Sequence, residues 1–141
     1  MDIGFFRRHS LTRGLSQQEL TRLDTLVEPR SFAAGEKIFI EGAATYGLFL
    51  LQEGSVSVSR EGTVITTLEA PTVLGEVELV ASEPAAATVV AATDVRAYIL
   101  THDAFERLVD EGDSVVSKLM RNMARVMARR LIDNNERAVF R

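Results

Sequence analysis

The chain contains no cysteine. A disulfide scaffold, a thiolate zinc site and a cysteine nucleophile are therefore excluded. It has two histidines, His9 and His102, and both fall outside the segments that read as strands. A metal site built from side chains pointing into a roll needs several histidines or carboxylates, and the strands offer no such set. No Ser-His-Asp arrangement is visible either, so neither a metal centre nor an enzyme is expected. No apolar run approaches the length of a membrane span. The opening "MDIGFFRRHS" lacks the long apolar segment and small-residue cleavage site of a secretory signal. A cytoplasmic protein with no membrane contact is the expectation. Positive charge is not in excess: 16 Lys and Arg stand against 20 Asp and Glu, a net charge of -4. Nothing global draws the chain to nucleic acid or to an anionic membrane. Internal repeats, linkers and low-complexity stretches are also missing, so residues 1–141 read as one domain.

What is present is an ordinary globular composition, 46% hydrophobic and 26% charged over 141 residues, with room for a real core. "GLSQQELTRLDTL" predicts a helix over about 16–28. Ser16 is the candidate N-cap, and Glu19 three residues later completes a capping box. Leu20, Leu23, Leu26 and Val27 form its apolar face, and Pro29 is expected to end it. From about 30 to 101 the texture changes to short β-branched and aromatic runs, among them "KIFIE", "YGLFLLQE", "SVSVS", "TVITTLE" and "VRAYILT". Glycines punctuate them. Many short strands between glycine turns predict an antiparallel β-roll of the jelly-roll kind. In "SVSVS" the valines Val56 and Val58 are expected to face in. "REGT" reads as a hairpin turn with Gly62 free to take positive φ.

Helices return over about 102–137. Thr101 can cap "HDAFERLVDE", and Gly112 stops it. A long helix then follows, acidic before its start and basic along its length, which suits the helix dipole. Val116, Leu119, Met120, Met123, Val126, Met127 and Leu131 share one broad face. Part of that stripe must pack on the roll, and the remainder is expected to seek a partner helix, so a homodimer through this helix is predicted. Lys118, Arg121, Arg125 and Arg129 occupy the opposite face and read as solvated.

The order helix, glycine-punctuated roll, short helix, long helix carries two telling stretches. They are "FAAGEKIFIEGAATYGLFLLQEGSVSVSREG" and "LGEVELVASEPAAATVVAATDVRAYILTHDAFERL". Together they resemble the cyclic-nucleotide-binding domain family, which includes bacterial catabolite activator proteins, protein kinase A regulatory subunits and cyclic-nucleotide-gated channels. The resemblance spans about Leu15 to Leu131. It implies a phosphate-binding cassette of the form Gly-Glu-x-Ala-Leu, a short stretch, then Arg-Ala-Ala-Thr. Carried over residue by residue, the candidate pocket is Gly75, Glu76, Val77, Glu78, Leu79, Ala85, Ala86, Ala87 and Thr88.

Gly75 lets the chain turn tightly, and free amides after it favour an anion. Glu76 holds the place of the glutamate that accepts a hydrogen bond from the ribose 2′-hydroxyl. The arginine that neutralises the cyclic phosphate is here Ala85, and the small residue after the Gly-Glu pair is Glu78. A family glycine in the preceding loop corresponds to Pro71. One positive charge is missing and one negative charge is added.

The resemblance therefore implies a regulatory module in which cyclic AMP or GMP binds weakly or not at all, with no obligate cofactor. A different small anion, a protein partner in place of a ligand, and a replacement cation such as Arg130 remain open. The family members that bind DNA do so with a helix-turn-helix after the long helix, and the chain stops at Arg141 before one, so no direct DNA binding is expected. Two bland readings stand beside these. Glu76 can serve as a cap for the first turn of a helix, and Glu78 as a solvated surface acid. Arg130, awkwardly placed in the apolar stripe, can equally lay its stem on apolar surface with its head in water.

Overall fold

The computed structural model describes the backbone of residues 3–139 and the side chains of residues 4–133. A short helix α1 (Ile3–Arg8) and a 3-10 turn (Ser10–Thr12) precede helix α2 (Gln17–Asp24). Eight strands follow: β1 (Glu28–Phe32), β2 (Lys37–Phe39), β3 (Gly47–Glu53), β4 (Ser55–Arg60), β5 (Thr63–Glu69), β6 (Thr72–Leu74), β7 (Thr88–Ala91) and β8 (Val95–Thr101). Helix α3 (Glu76–Ala81) interrupts them between β6 and β7, and α4 (His102–Asp110) and α5 (Ser114–Val139) close the chain. The strands form two four-stranded antiparallel sheets, β1-β8-β3-β6 and β2-β7-β4-β5. This is the β-roll with an N-terminal helix and a long C-terminal helix that the sequence predicts.

Two apolar clusters hold the layers together. Between the two sheets lie Phe32, Phe39, Phe49, Leu51, Val56 and Ile99 with their neighbours. On the other face of the first sheet, Leu48, Leu50 and Leu100 meet Phe6, Leu20, Leu23, Phe105, Leu108 and Leu119 from the helices. Strand β3 is therefore covered on both faces. Its residues 47–51 are all buried, which explains why "YGLFLLQE" is a nearly continuous apolar run rather than an alternating one.

Local chemistry sets the element ends. Ser16 accepts from the Glu19 amide at 3.1 Å while the Glu19 carboxylate accepts from the Ser16 amide at 2.9 Å, so the capping box is formed. Helix α2 ends at Asp24, earlier than the boundary expected from Pro29. Leu26 and Val27 continue as irregular chain packed on the core, and Pro29 lies in β1, an edge strand, where its missing N–H is tolerated. The turn between β4 and β5 places Glu61 and Gly62 at φ +52° and +81°, the paired positive angles of a two-residue hairpin turn. Thr101 accepts from the Ala104 amide and caps α4.

Helix α1 lies outside the elements that the sequence predicts. Six residues give too little periodicity to read, and its formation depends on tertiary contacts: Phe5 and Phe6 sit 5.7 Å and 5.0 Å from the Tyr98 ring. Asn122 ties α5 to the N-terminal segment. Its buried side-chain amide donates to the carbonyls of Leu11 and Arg13 at 2.6 Å and 2.9 Å.

Candidate functional site

Strand β6 ends at Gly75, which takes φ +87° and turns the chain into α3. A Cβ built there would lie 2.5 Å from the Gly47 carbonyl oxygen. The position thus needs glycine both for its backbone angle and for the close approach of β3. Beside this turn is a cavity of about 440 Å³. Gly75, Glu76, Val77, Glu78, Ala86 and Ala87, six of the nine cassette residues, line it.

The other three cassette residues lie elsewhere. Leu79 packs into the helix-side core. Ala85 is buried in the cluster between the sheets, hydrogen-bonded through its backbone to Gly42 and Ala43. The Thr88 hydroxyl accepts from the Glu41 amide at 3.0 Å.

The two acids of the cassette have different surroundings. The Glu78 side chain is not a solvated surface acid. The residue is 9% exposed, and its Oε2 accepts the Ala86 amide at 3.1 Å. A carboxylate of the chain itself thus occupies a backbone amide of the cavity wall. Glu76 is buried and ion-paired with Arg130 of α5. The Arg130 guanidinium also donates to the Thr72 hydroxyl at 3.1 Å and to the Val73 carbonyl at 2.9 Å. Its head is thus held by protein groups, with one-third of the side chain still exposed. Burial pushes the Glu76 carboxyl above its ordinary pKa, and the charge of Arg130 opposes that shift.

The cavity contains residues that sequence reasoning did not single out. Arg60, at the end of β4, lines it, and its Nε donates to the Ala86 carbonyl at 3.1 Å. Val58, Ile65 and Leu68 from the β4–β5 hairpin, with Phe39, Leu74 and Val89, supply an apolar wall. Asp133 of α5 adds a third carboxylate. The period-two pattern of "SVSVSR" puts Val58 and Arg60 on one face, which was the available signal for Arg60. Among the described residues the wall thus holds three carboxylates, Glu76, Glu78 and Asp133, against two guanidiniums, Arg60 and Arg130. One guanidinium is already paired with a carboxylate, and the balance does not favour an added anion.

Of the stripe expected to seek a partner helix, Val116, Leu119 and Met123 are buried in the chain's own core, and Val126 and Met127 pack partly against it. Met120 and Leu131 are exposed, at 46% and 61%. Among the described residues, no group of three or more His, Asp or Glu is placed to hold a metal ion, and no helix is long and apolar enough to cross a membrane.

Known proteins resemble this chain in sequence or in fold. Glutaminase 1 of Bradyrhizobium diazoefficiens is 32% identical over 89% of this chain, which spans 20% of that enzyme's length. The structure of a cyclic nucleotide-binding domain from Methylobacillus flagellatus superposes with a TM-score of 0.84 at 18% identity, covering 96% of this chain and 79% of that one. The regulatory subunit of a cAMP-independent protein kinase A from Trypanosoma brucei superposes with a TM-score of 0.77 at 24% identity, over 88% of this chain and 43% of that one. A mutant of that subunit has a glutamate changed to alanine, a threonine seven positions later changed to arginine, and the adjacent valine changed to alanine. It is described as bound to cAMP in its A site, and superposes with a TM-score of 0.76 at 23% identity over 88% and 45% of the two chains. The model of the family described as "Cyclic nucleotide-binding domain" matches residues 29–111, more than half of the sequence. With the two-sheet roll and the Gly75 turn in place, the chain belongs to the cyclic nucleotide-binding domain family.

Proposed function

We propose that this is a non-catalytic regulatory module that keeps the family's cradle and does not take cyclic AMP or GMP in the family's usual manner. The observation that carries this reading is the hydrogen bond from the Ala86 amide to Glu78. It sets a fixed negative charge in the segment that would hold the cyclic phosphate, and the nearby arginine position is Ala85. A desolvated Arg–phosphate pair is charge-assisted and often bidentate. Losing one partner of such a pair costs about 2–5 kcal/mol, or about 30- to 4000-fold in affinity, before any repulsion from Glu78.

The Trypanosoma brucei subunit supports the same reading by analogy. It is described as cAMP-independent, and its cAMP-bound mutant exchanges a glutamate for alanine and gains an arginine seven positions later. Glu78 and Ala85 of this chain have that spacing.

Arg130 is a poor replacement cation, because Glu76 already engages it. Dimerisation through α5 belongs to the same proposal. It is supported by exposed Met120, Leu131 and Ile132, which stand apart from the stripe residues consumed by the chain's own core. Action in the cytoplasm, on a protein partner or as part of a longer polypeptide, completes it.

The test is a repair. Ala85→Arg with Glu78→Ala restores the family's charge pattern. Cyclic AMP should raise the melting temperature of the double variant by mass action and leave the parent unchanged. If neither responds, the cavity differs in shape as well as charge, with Pro71 the first suspect, and the reading of a cradle altered in its charges alone fails.

A further inference from the structure

A second cavity, of about 570 Å³, lies between the N-terminal segment and α5. Arg13, Arg125, Arg129 and Arg130 line it, and among the described residues no carboxylate does. That is a local inversion of charge in a chain of net charge -4. Arg121, Arg125 and Arg129 follow one another at four-residue spacing along α5, and like charges at that spacing destabilise a helix. Among the described residues, none of Arg13, Arg121, Arg125 and Arg129 forms an ion pair.

The opposing wall is held in place rather than free to swing away. Buried Asn122 donates to the carbonyls of Leu11 and Arg13, which pins the loop carrying Arg13 against α5. The oxygen of the same Asn122 side chain accepts from Arg125 at 3.3 Å, orienting one guanidinium of the row. A fold that gathers unpaired guanidiniums around a groove and fixes their backbone there is set up for a multivalent oxyanion, because guanidinium forks match phosphate oxygens in geometry and charge.

We propose that this groove binds a diphosphate group through Arg13, Arg125 and Arg129. The site is distinct from the cavity beside Glu78 and does not rest on the reading given for it. Arg130 borders both cavities, but its guanidinium is engaged by Glu76, Thr72 and Val73, so the other three arginines carry the ligand.

The test is calorimetric titration of the full chain with inorganic pyrophosphate and, separately, with adenosine diphosphate, at ionic strength matched with sodium chloride. Both are expected to bind. Equal affinity identifies the phosphates alone as the recognised group, and tighter binding of the nucleotide identifies a nucleoside diphosphate as the source. Arg13→Gln with Arg129→Gln should weaken both by at least about a hundredfold, about tenfold for each of the two charge-assisted contacts removed. The melting temperature without ligand should not fall, because both side chains are exposed and like charges have been removed. Absence of binding by both anions, unchanged affinity in the double variant, or binding of a duplex oligonucleotide alone would overturn the proposal.

Discussion

The Oε2 atom of Glu78 lies 3.1 Å from the amide nitrogen of Ala86 and accepts its hydrogen bond. Helix α3 and the segment leading into β7 are thereby joined by an acid of the chain. The pairing satisfies a backbone donor of the cavity wall.

Arg130 clamps the other acid of the cassette. It joins α5 to Glu76, Thr72 and Val73. Arg130→Ala leaves the buried Glu76 carboxylate without its cation, which costs several kcal/mol for a fully buried pair. Because Arg130 is one-third exposed, the expected loss is about 2 kcal/mol after allowance for solvent screening. Urea denaturation measures it. Any weak binding of cyclic AMP measured in the parent should be unchanged in the same variant, and its loss would revive Arg130 as a ligand-bearing cation.

His9 gives the fold an acid-sensitive joint. Its Nδ1 accepts the Leu11 amide at 3.1 Å, and its Nε2 lies 3.0 Å from the Thr72 carbonyl. This geometry requires the neutral ring with the proton on Nε2, donating to Thr72. Burial lowers the pKa of His9 from its ordinary value of 6.5, and the bond to Thr72 opposes that shift. A depressed folded-state pKa means the contribution is present above pH 6.5 and is lost as pH falls below it. Denaturant midpoints should therefore decline from about pH 6.5 downward, and His9→Gln should flatten that decline. An unchanged slope in the variant would show that other groups cause it.

Glu19 acts in a more acidic range. Lys118 first, then Ser114 and the Ser16 amide, donate to its carboxylate and hold its pKa down to about 2 from 4.5. The stability it contributes is present above pH 4.5 and disappears as pH falls toward 2. Glu19→Gln should lower the melting temperature at neutral pH and make the acid limb between those values shallower. Thermal melts over that range check both effects.

Asn122 is the buried polar link between the N-terminal segment and α5. Asn122→Ala would leave the Leu11 and Arg13 carbonyls without their donor. The expected cost is about 2 kcal/mol, the range for orphaned buried acceptors. Equilibrium unfolding of the variant measures it, and a change below about 0.5 kcal/mol would mean that water replaces the amide.

Much of this structure was legible in residue order. The capping box at Ser16 and Glu19, the Glu61-Gly62 turn, the Thr101 cap and the Gly75 turn are local, and local chemistry can be read from neighbours. What could not be read depends on distant partners. The run at 47–51 is apolar throughout because helices cover one face of β3 and the second sheet covers the other. Glu78 looked like a surface acid because only the folding-back of residues 85–87 onto α3 supplies its donor. Arg130 was visible as a misfit in an apolar stripe, but its partner Glu76 lies 54 residues earlier. Arg60 reaches the cavity by crossing from β4 to Ala86, 26 residues on, a contact the strand pattern shows only as a direction.

The most direct measurement of the central claim is calorimetric titration of the unaltered chain with cyclic AMP. With Glu78 holding the Ala86 amide and Ala85 in the arginine position, binding should be weaker than about 100 µM, or should show no saturable heat. A low-micromolar dissociation constant, roughly 7–8 kcal/mol of binding free energy, would show that the cradle accepts the cyclic phosphate after all and would contradict the account.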